Sequence, residues 1–331
     1  MKKNLFSVWC RGGVLVACAL SLLISCGGGG GSSDDYEAPV AESGSTTTDG
    51  FVLVSGGTVT GGDKFILSGY TESNAKGVFV AGRTVTLSSF YMCDHEVTQA
   101  EYQEVMGTNP SISALYGEVA TGETLSKLPV EYLNWFHAIT YCNKRSLMEG
   151  LEPCYTVSGV DFSGSVTVPD VTVQENENAT WDAVTCNFSA NGYRLPTEAE
   201  WEFAARGGAD GCAVANPNDY AGTDDSESLG NYAWYDSNSD SMTHEVKKKT
   251  ANSLGLYDMS GNVREWCWDW YSDTLNSTTP FSGVSSGSNR VLRGGYSWDS
   301  VSYCSVAFRY DDYSPYYKAS GIGFRVVRTA N

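Results

Sequence analysis

Residues 293–325 constrain this chain more than any other stretch. Arg293-Gly294-Gly295 and Gly323-Phe324-Arg325 bracket a segment with an unusual alphabet. The 25 residues from Tyr296 to Ser320 include six Tyr, six Ser and three Asp, and no Asn, although Asn is frequent elsewhere in the chain. Tyr, Ser and Asp codons each lie a single base change from an Asn codon of the AAC/AAT type. The same residues suit a binding loop, because Tyr gives large, stiff contact area at low entropy cost and Ser adapts its hydrogen bonding. Such a window inside a fixed frame points to a diversified binding surface. The competing reading is a Tyr-rich core segment, which predicts buried rings.

The first 25 residues read as a signal peptide. Lys2, Lys3 and Arg11 precede an apolar run, Gly12 to Ile24, too short for a comfortable membrane span. Leu23-Ile24-Ser25-Cys26 resembles a bacterial lipobox, so Cys26 is the expected lipidation site. More than one lipid chain there gives stable attachment. Residues 26–50, rich in Gly, Ser and acidic side chains, read as a flexible tether. Together these predict a lipid-anchored protein of a bacterial outer membrane or cell surface. Residues 51–331 are long for one domain but within range of an elaborated one.

The formal net charge is −18. That acidity argues against nucleic acid and anionic lipid surfaces as partners. Of ten Cys, Cys10 and Cys18 are expected to leave with the leader and Cys26 to be acylated. Seven remain, an odd number, and their pairing is unreadable from sequence. The lack of a CxxC pair argues against structural zinc.

Along the folded part, Phe51 to Val54, Val78 to Val80, Thr84 to Leu87 and Phe90 to Met92 read as strands. Thr98 to Met106 reads as a helix with a Thr98/Glu101 capping box, and Thr197 to Arg206 as another with Thr197/Glu200. Val130 to Leu133 reads as a short strand and Asn134 to Gly150 as a helix with apolar residues at helical spacing. Cys154 to Cys186 reads as a β-rich insertion, and Gly207 to Ser253 as long irregular chain. The fold class expected is α+β.

Several blocks then add up. They are Phe90-Tyr91-Met92 with Glu96-Val97-Thr98, Pro129-Val130 with Asn134-Trp135, and Tyr193 to Glu202. Gly255 to Met259, Gly261 to Trp266, Arg293-Gly294-Gly295 and Gly323-Phe324-Arg325 follow. In this order they resemble the sulfatase-modifying-factor (formylglycine-generating enzyme-like) family. The resemblance implies a C-type-lectin-like fold with long irregular loops. Catalytic members of that family use two Cys, five apart, after the Arg-Gly-Gly block. Here the second falls at Cys304 and the first at Asp299. A thiolate pair holds Cu(I), whereas a thiolate with a carboxylate matches it poorly. His95, His137 and His244 are isolated in sequence and read as structural or surface residues.

A non-enzymatic branch fits better, because the C-terminal block resembles the variable region of proteins diversified by retroelements. The expected frame is Trp298, Cys304, Arg309, Pro315, Gly323, Phe324 and Arg325. The expected variable, ligand-binding set is Tyr296, Ser297, Asp299, Ser300, Ser302, Tyr303, Phe308, Tyr310, Asp311, Asp312, Tyr313, Ser314, Tyr316, Tyr317 and Ser320. Its side chains should form an exposed patch large enough to mark an interaction site. The expected partner is a protein or glycan, on a host or another cell surface among the alternatives, and this reading requires no cofactor. The resemblance also implies a structural calcium site, with side-chain oxygens of Asp258 and Glu265 and carbonyls of Gly261 and Val263. The aromatic run Trp266 to Tyr271 could stack sugars, but core packing is its commoner use. The competing functions are a formylglycine-generating or related oxidase acting on exported proteins, and a structural envelope lipoprotein.

Overall fold

The computed structural model describes residues 44, 47, 49–67, 69–70, 72–164 and 178–330. The expected signal peptide, the Cys26 lipidation site and most of the tether lie outside the described residues. The domain side of the tether belongs to the fold. The Gly44 N–H donates to the Leu53 carbonyl (2.8 Å) and the Thr47 N–H to that of Phe51 (2.7 Å).

The chain opens with β1 (Phe51–Val54), β2 (Gly57–Thr60), β3 (Thr84–Leu87) and β4 (Phe90–Cys93). Helices α1 (Gln99–Met106), α2 (Ile112–Tyr116) and α3 (Trp135–Met148) follow. Next come β5 (Tyr155–Thr156), α4 (Ala179–Asp182), β6 (Thr185–Cys186), β7 (Tyr193–Arg194), α5 (Glu198–Ala205) and α6 (Gly208–Ala213). The C-terminal third carries β8 (Arg264–Trp270), β9 (Arg290–Arg293), β10 (Ile322–Gly323) and β11 (Val327–Thr329). Both expected capping boxes are present, with Thr98 accepting from the Glu101 N–H and Thr197 from that of Glu200. Each satisfies two otherwise orphaned helix N–H groups.

Two expected strands are irregular chain instead. Val78 donates its N–H to a Glu202 carboxylate oxygen (2.7 Å), and Val130 donates to the Val97 carbonyl (2.8 Å). Apolar runs bury equally well as loops when other groups satisfy their backbone, and short runs do not distinguish the two.

The largest sheet has the order β1-β4-β11-β7, all antiparallel. The last strand thus lies between β4 and β7 and ties the two ends of the domain together. A second sheet, β10-β8-β9, pairs β10 with β8 in parallel and β9 with β8 antiparallel. Trp266 and Cys267 of β8 are fully buried and Trp268 packs on Tyr155 and Trp135, so the aromatic run serves the core. None of the seven described cysteines is in a disulfide. Among the described residues no helix is long and apolar enough to cross a membrane.

Candidate binding face

The segment after β9 is held by three buried ion pairs. Arg293 donates to Glu202 (2.5 Å) and to the Phe308 carbonyl. Arg309 is bidentate to Glu198 (2.6 and 2.7 Å), and Arg325 is bidentate to Glu265. Glu198 and Glu202 sit one helical turn apart on α5, so one face of that helix holds both Arg293 and Arg309. Burial opposes the Arg309 charge, yet Glu198 outweighs it and holds the guanidinium above its ordinary value. Gly295 has φ +79°, and a Cβ there would meet Cys304 at 2.9 Å, so the loop after the Arg-Gly-Gly turn closes against Cys304 only because this residue is glycine.

A fourth carboxylate stands beside this frame. Asp269 accepts the Glu198 N–H through Oδ2 (2.7 Å), while Oδ1 has no partner among the described residues. Burial, then the Glu198 charge, push its carboxyl up to about 7. A raised carboxyl pKa stabilises the fold below the unfolded value, and that stability is lost as pH rises through the folded value. The stability advantage of Asp269→Asn over the parent is therefore expected to be larger near pH 8 than near pH 5 by roughly 2–3 kcal/mol. Urea denaturation at the two pH values checks this; a pH-independent difference overturns it.

Arg264, at the start of β8, organises the face itself. Its guanidinium is bidentate to Asp299 (2.7 and 3.0 Å) and donates to the Tyr313 hydroxyl (2.6 Å). It also stands over the Tyr310 and Tyr296 rings, at 4.2 and 4.4 Å. Asp299 accepts from the Tyr310 hydroxyl (2.5 Å) and the Tyr296 N–H (3.1 Å). Ring contacts run Tyr303–Phe308 (4.7 Å), Phe308–Tyr310 (4.9 Å), Tyr310–Tyr313 (6.4 Å) and Tyr313–Tyr317 (5.0 Å). Burial opposes the Arg264 charge, but Tyr310 and Asp299 keep its guanidinium above its ordinary value. The result is a contiguous aromatic cluster, its floor buried and its edge exposed, around one half-buried cation.

The expected variable residues divide into two groups. Ser300, Tyr303, Asp311, Asp312 and Ser320 are exposed, and Tyr296, Ser302, Tyr313 and Tyr317 are half-buried. Ser297, Asp299, Phe308, Tyr310, Ser314 and Tyr316 are buried, which corrects the expectation that the whole set is exposed. Tyr310 is drawn in because its N–H donates to Leu292 of β9 (3.1 Å). The 314–316 stretch is drawn in because the Pro315 carbonyl accepts the Trp135 N–H (3.0 Å). Codon arithmetic does not report which side of the backbone faces water. Trp298, placed in the frame, is 61% exposed and pinned by its indole N–H to the Ser241 carbonyl. Arg264 was missed because no motif position marks it; the signal available was a lone cation in an aromatic strand whose other charges, Glu265 and Asp269, are acidic.

Residues 37–330 match the sulfatase-modifying factor enzyme 1-like domain. The chain belongs to the sulfatase-modifying factor family. Chaperone protein LppX of Paenibacillus barcinonensis is 38% identical over 302 residues, 87% of this chain and 92% of that protein. The formylglycine-generating enzyme of Streptomyces coelicolor is 34% identical over 182 residues, 49% of this chain and 56% of that protein. Treponema denticola variable protein 1 is similar in structure, with a TM-score of 0.72 and 41% identity over 86% of this chain and 99% of its own. The α+β architecture is thus the C-type-lectin-like fold of the sulfatase-modifying factor family.

Within this family's frame, the place expected for the first Cys holds Asp299, which is engaged by Arg264 and Tyr310. Cys304 is fully buried, and burial, then Asp299, push its thiol well above its ordinary value. A buried neutral thiol is a poor nucleophile and a poor metal ligand. Two residues of the expected calcium set already have protein partners. Both Glu265 oxygens take N–H groups of Arg325, and Oε2 also takes the Trp201 indole (2.8 Å). Asp258 Oδ2 accepts the Lys247 N–H (2.8 Å), and burial pushes its carboxyl up to about 6. Of the expected set of Asp258, Gly261, Val263 and Glu265, Glu265 is paired with an arginine, while the buried Asp258 Oδ1 has no hydrogen-bond partner among the described residues.

Proposed function

We propose that this is a non-catalytic, lipid-anchored surface protein whose 296–320 segment presents a diversified site for a protein ligand. The observation that carries this reading is the aromatic surface around Arg264, rimmed by exposed Tyr303, Ser300, Asp311, Asp312 and Ser320 and held from behind by buried ion pairs. The rim side chains are exposed while the ion-paired frame is buried, so they can change at little cost to folding. Large, stiff rings already in place lower the ordering cost of binding. The similarity to Treponema denticola variable protein 1 over most of both chains supports the same reading. Asp299 and the buried Cys304 weigh against the oxidase alternative, and copper-dependent turnover of a Cys-containing sulfatase peptide would revive it.

The test is to sequence this gene across isolates of one lineage, together with the neighbouring DNA. Differences are expected to concentrate in codons for the exposed and half-buried residues of 296–320, matching adenines in a nearby near-copy. Variation spread evenly along the gene would sink the reading. The anchor is tested separately: labelled fatty acid should enter the parent and not Cys26→Ala.

A further inference from the structure

Beside the variable face lies a cavity of about 210 Å³. Its walls include Glu131, Ile112, Met242, Tyr296 and Trp298, with Glu118 also lining it. Glu131 is 2% exposed. Its Oε1 accepts the Ser113 N–H (3.1 Å) and hydroxyl (3.3 Å), whereas Oε2 has no partner among the described residues. A buried carboxylate with an open oxygen is costly unless a cation or donor meets it. Burial, with Glu118 adding to it and the Ser113 and Ile112 donors opposing, pushes the Glu131 carboxyl up to about 7.

The rest of the cavity describes what could meet it. Ile112 and Met242 offer apolar surface that suits an alkyl stem. Trp298 offers an indole face, held in position by the Ser241 carbonyl, that suits a cation. Glu131, Met242 and Trp298 lie outside the Tyr/Ser/Asp set, while Tyr296, Ser297 and Ser320 belong to it. The pocket thus joins constant walls to the edge of the changing surface. The strong negative charge of the whole chain favours a cationic visitor.

We propose that this cavity is a constant subsite that takes a lysine or arginine side chain of the protein ligand, its charged head on Glu131 Oε2 and the Trp298 indole face and its stem against Ile112 and Met242. This rests on the binding-face reading above and adds an unchanging anchor to it. Diversified residues then select among ligands that share an exposed basic side chain.

The experiment uses the mature protein and three probes: Nα-acetyl-arginine amide, Nα-acetyl-lysine amide and the uncharged Nα-acetyl-norleucine amide. Binding is read from the NMR signal of the Trp298 indole N–H, assigned by its loss in Trp298→Phe. The two cationic probes should shift it saturably and norleucine should not. Glu131→Gln should weaken the cationic probes by about tenfold or more, the scale of a charged hydrogen bond. Should Glu131→Gln fail to fold, Trp298→Ala, followed by calorimetry, is expected to lose arginine binding instead. Equal binding of norleucine, or unchanged arginine affinity in a folded Glu131→Gln protein, overturns the subsite. A display-selected protein ligand that binds parent and Glu131→Gln equally also overturns it, yet leaves the diversified face standing. Even variation of the gene with Glu131-dependent arginine binding does the reverse.

Discussion

Glu198→Gln is expected to cost about 3–5 kcal/mol of stability, the range for breaking a buried ion pair from one side. Domains of this kind hold only about 5–15 kcal/mol in total, so the variant should be close to unfolding at physiological temperature. The reason is local and complete. The Arg309 guanidinium is buried, and its two shortest hydrogen bonds end on Glu198. Gln keeps the shape and removes the charge, leaving Arg309 with Glu202, which also serves Arg293 and Arg206, and with Asp269. That neighbour is only a partial substitute. Its proton is held by burial and by the Glu198 charge, so removal of Glu198 should bring the Asp269 carboxyl back towards its ordinary range. Urea denaturation of Glu198→Gln measures the loss, and a cost under about 1 kcal/mol would show that the α5 frame is not what holds the loop. Replacing both partners, Glu198→Leu with Arg309→Met, should recover much of the loss, because no buried charge is then left alone. If the double variant folds but no longer presents an ordered loop, the ion pair serves conformational definition more than net stability.

Much of this frame was legible in the sequence, and the reasons differ by element. The capping boxes at Thr98 and Thr197 were readable because their chemistry is local, four residues long and tied to backbone donors. The blocks that carry the family resemblance were readable because Arg293, Arg309 and Arg325 must each find a carboxylate, and Glu198, Glu202 and Glu265 sit within the same blocks. Val78 to Val80 and Val130 to Leu133 were misread because apolar runs report burial, not geometry. Glu131 was invisible as a site residue because nothing in sequence says that a carboxylate in an apolar run ends beside a cavity. The variable set was legible as a set but not as a surface. Its alphabet identified the segment, while inward or outward direction depends on hydrogen bonds to β9 and α3 that are distant in sequence.

That last distinction yields the second large effect. Tyr310→Ala is expected to cost about 3–5 kcal/mol, in the range for removing a buried aromatic side chain, whereas Tyr303→Ala should cost about 1 kcal/mol or less. Both residues were assigned to one class by composition, yet Tyr303 is 42% exposed and Tyr310 is buried. Tyr310 also carries more than area: its hydroxyl donates to Asp299 and its ring lies under Arg264. Its loss strips Asp299 of one donor and Arg264 of one face, so neighbouring half-buried Tyr296 and Tyr313 should lose order with it. Thermal and urea unfolding of the two variants, with Tyr310→Asn as the third, decides the matter. Asn is the informative replacement, because it is the residue from which the codon reading derives every variable position. Should Tyr310→Asn fold as well as the parent, the floor of the face repacks around whatever residue it receives, and the whole set is free to change. Should it lose several kcal/mol, variants with Asn at this position are purged by folding before any ligand is met. Free variation is then restricted to rim residues such as Tyr303, Ser300 and Ser320, and the Arg264 platform is a constant beneath a changing edge.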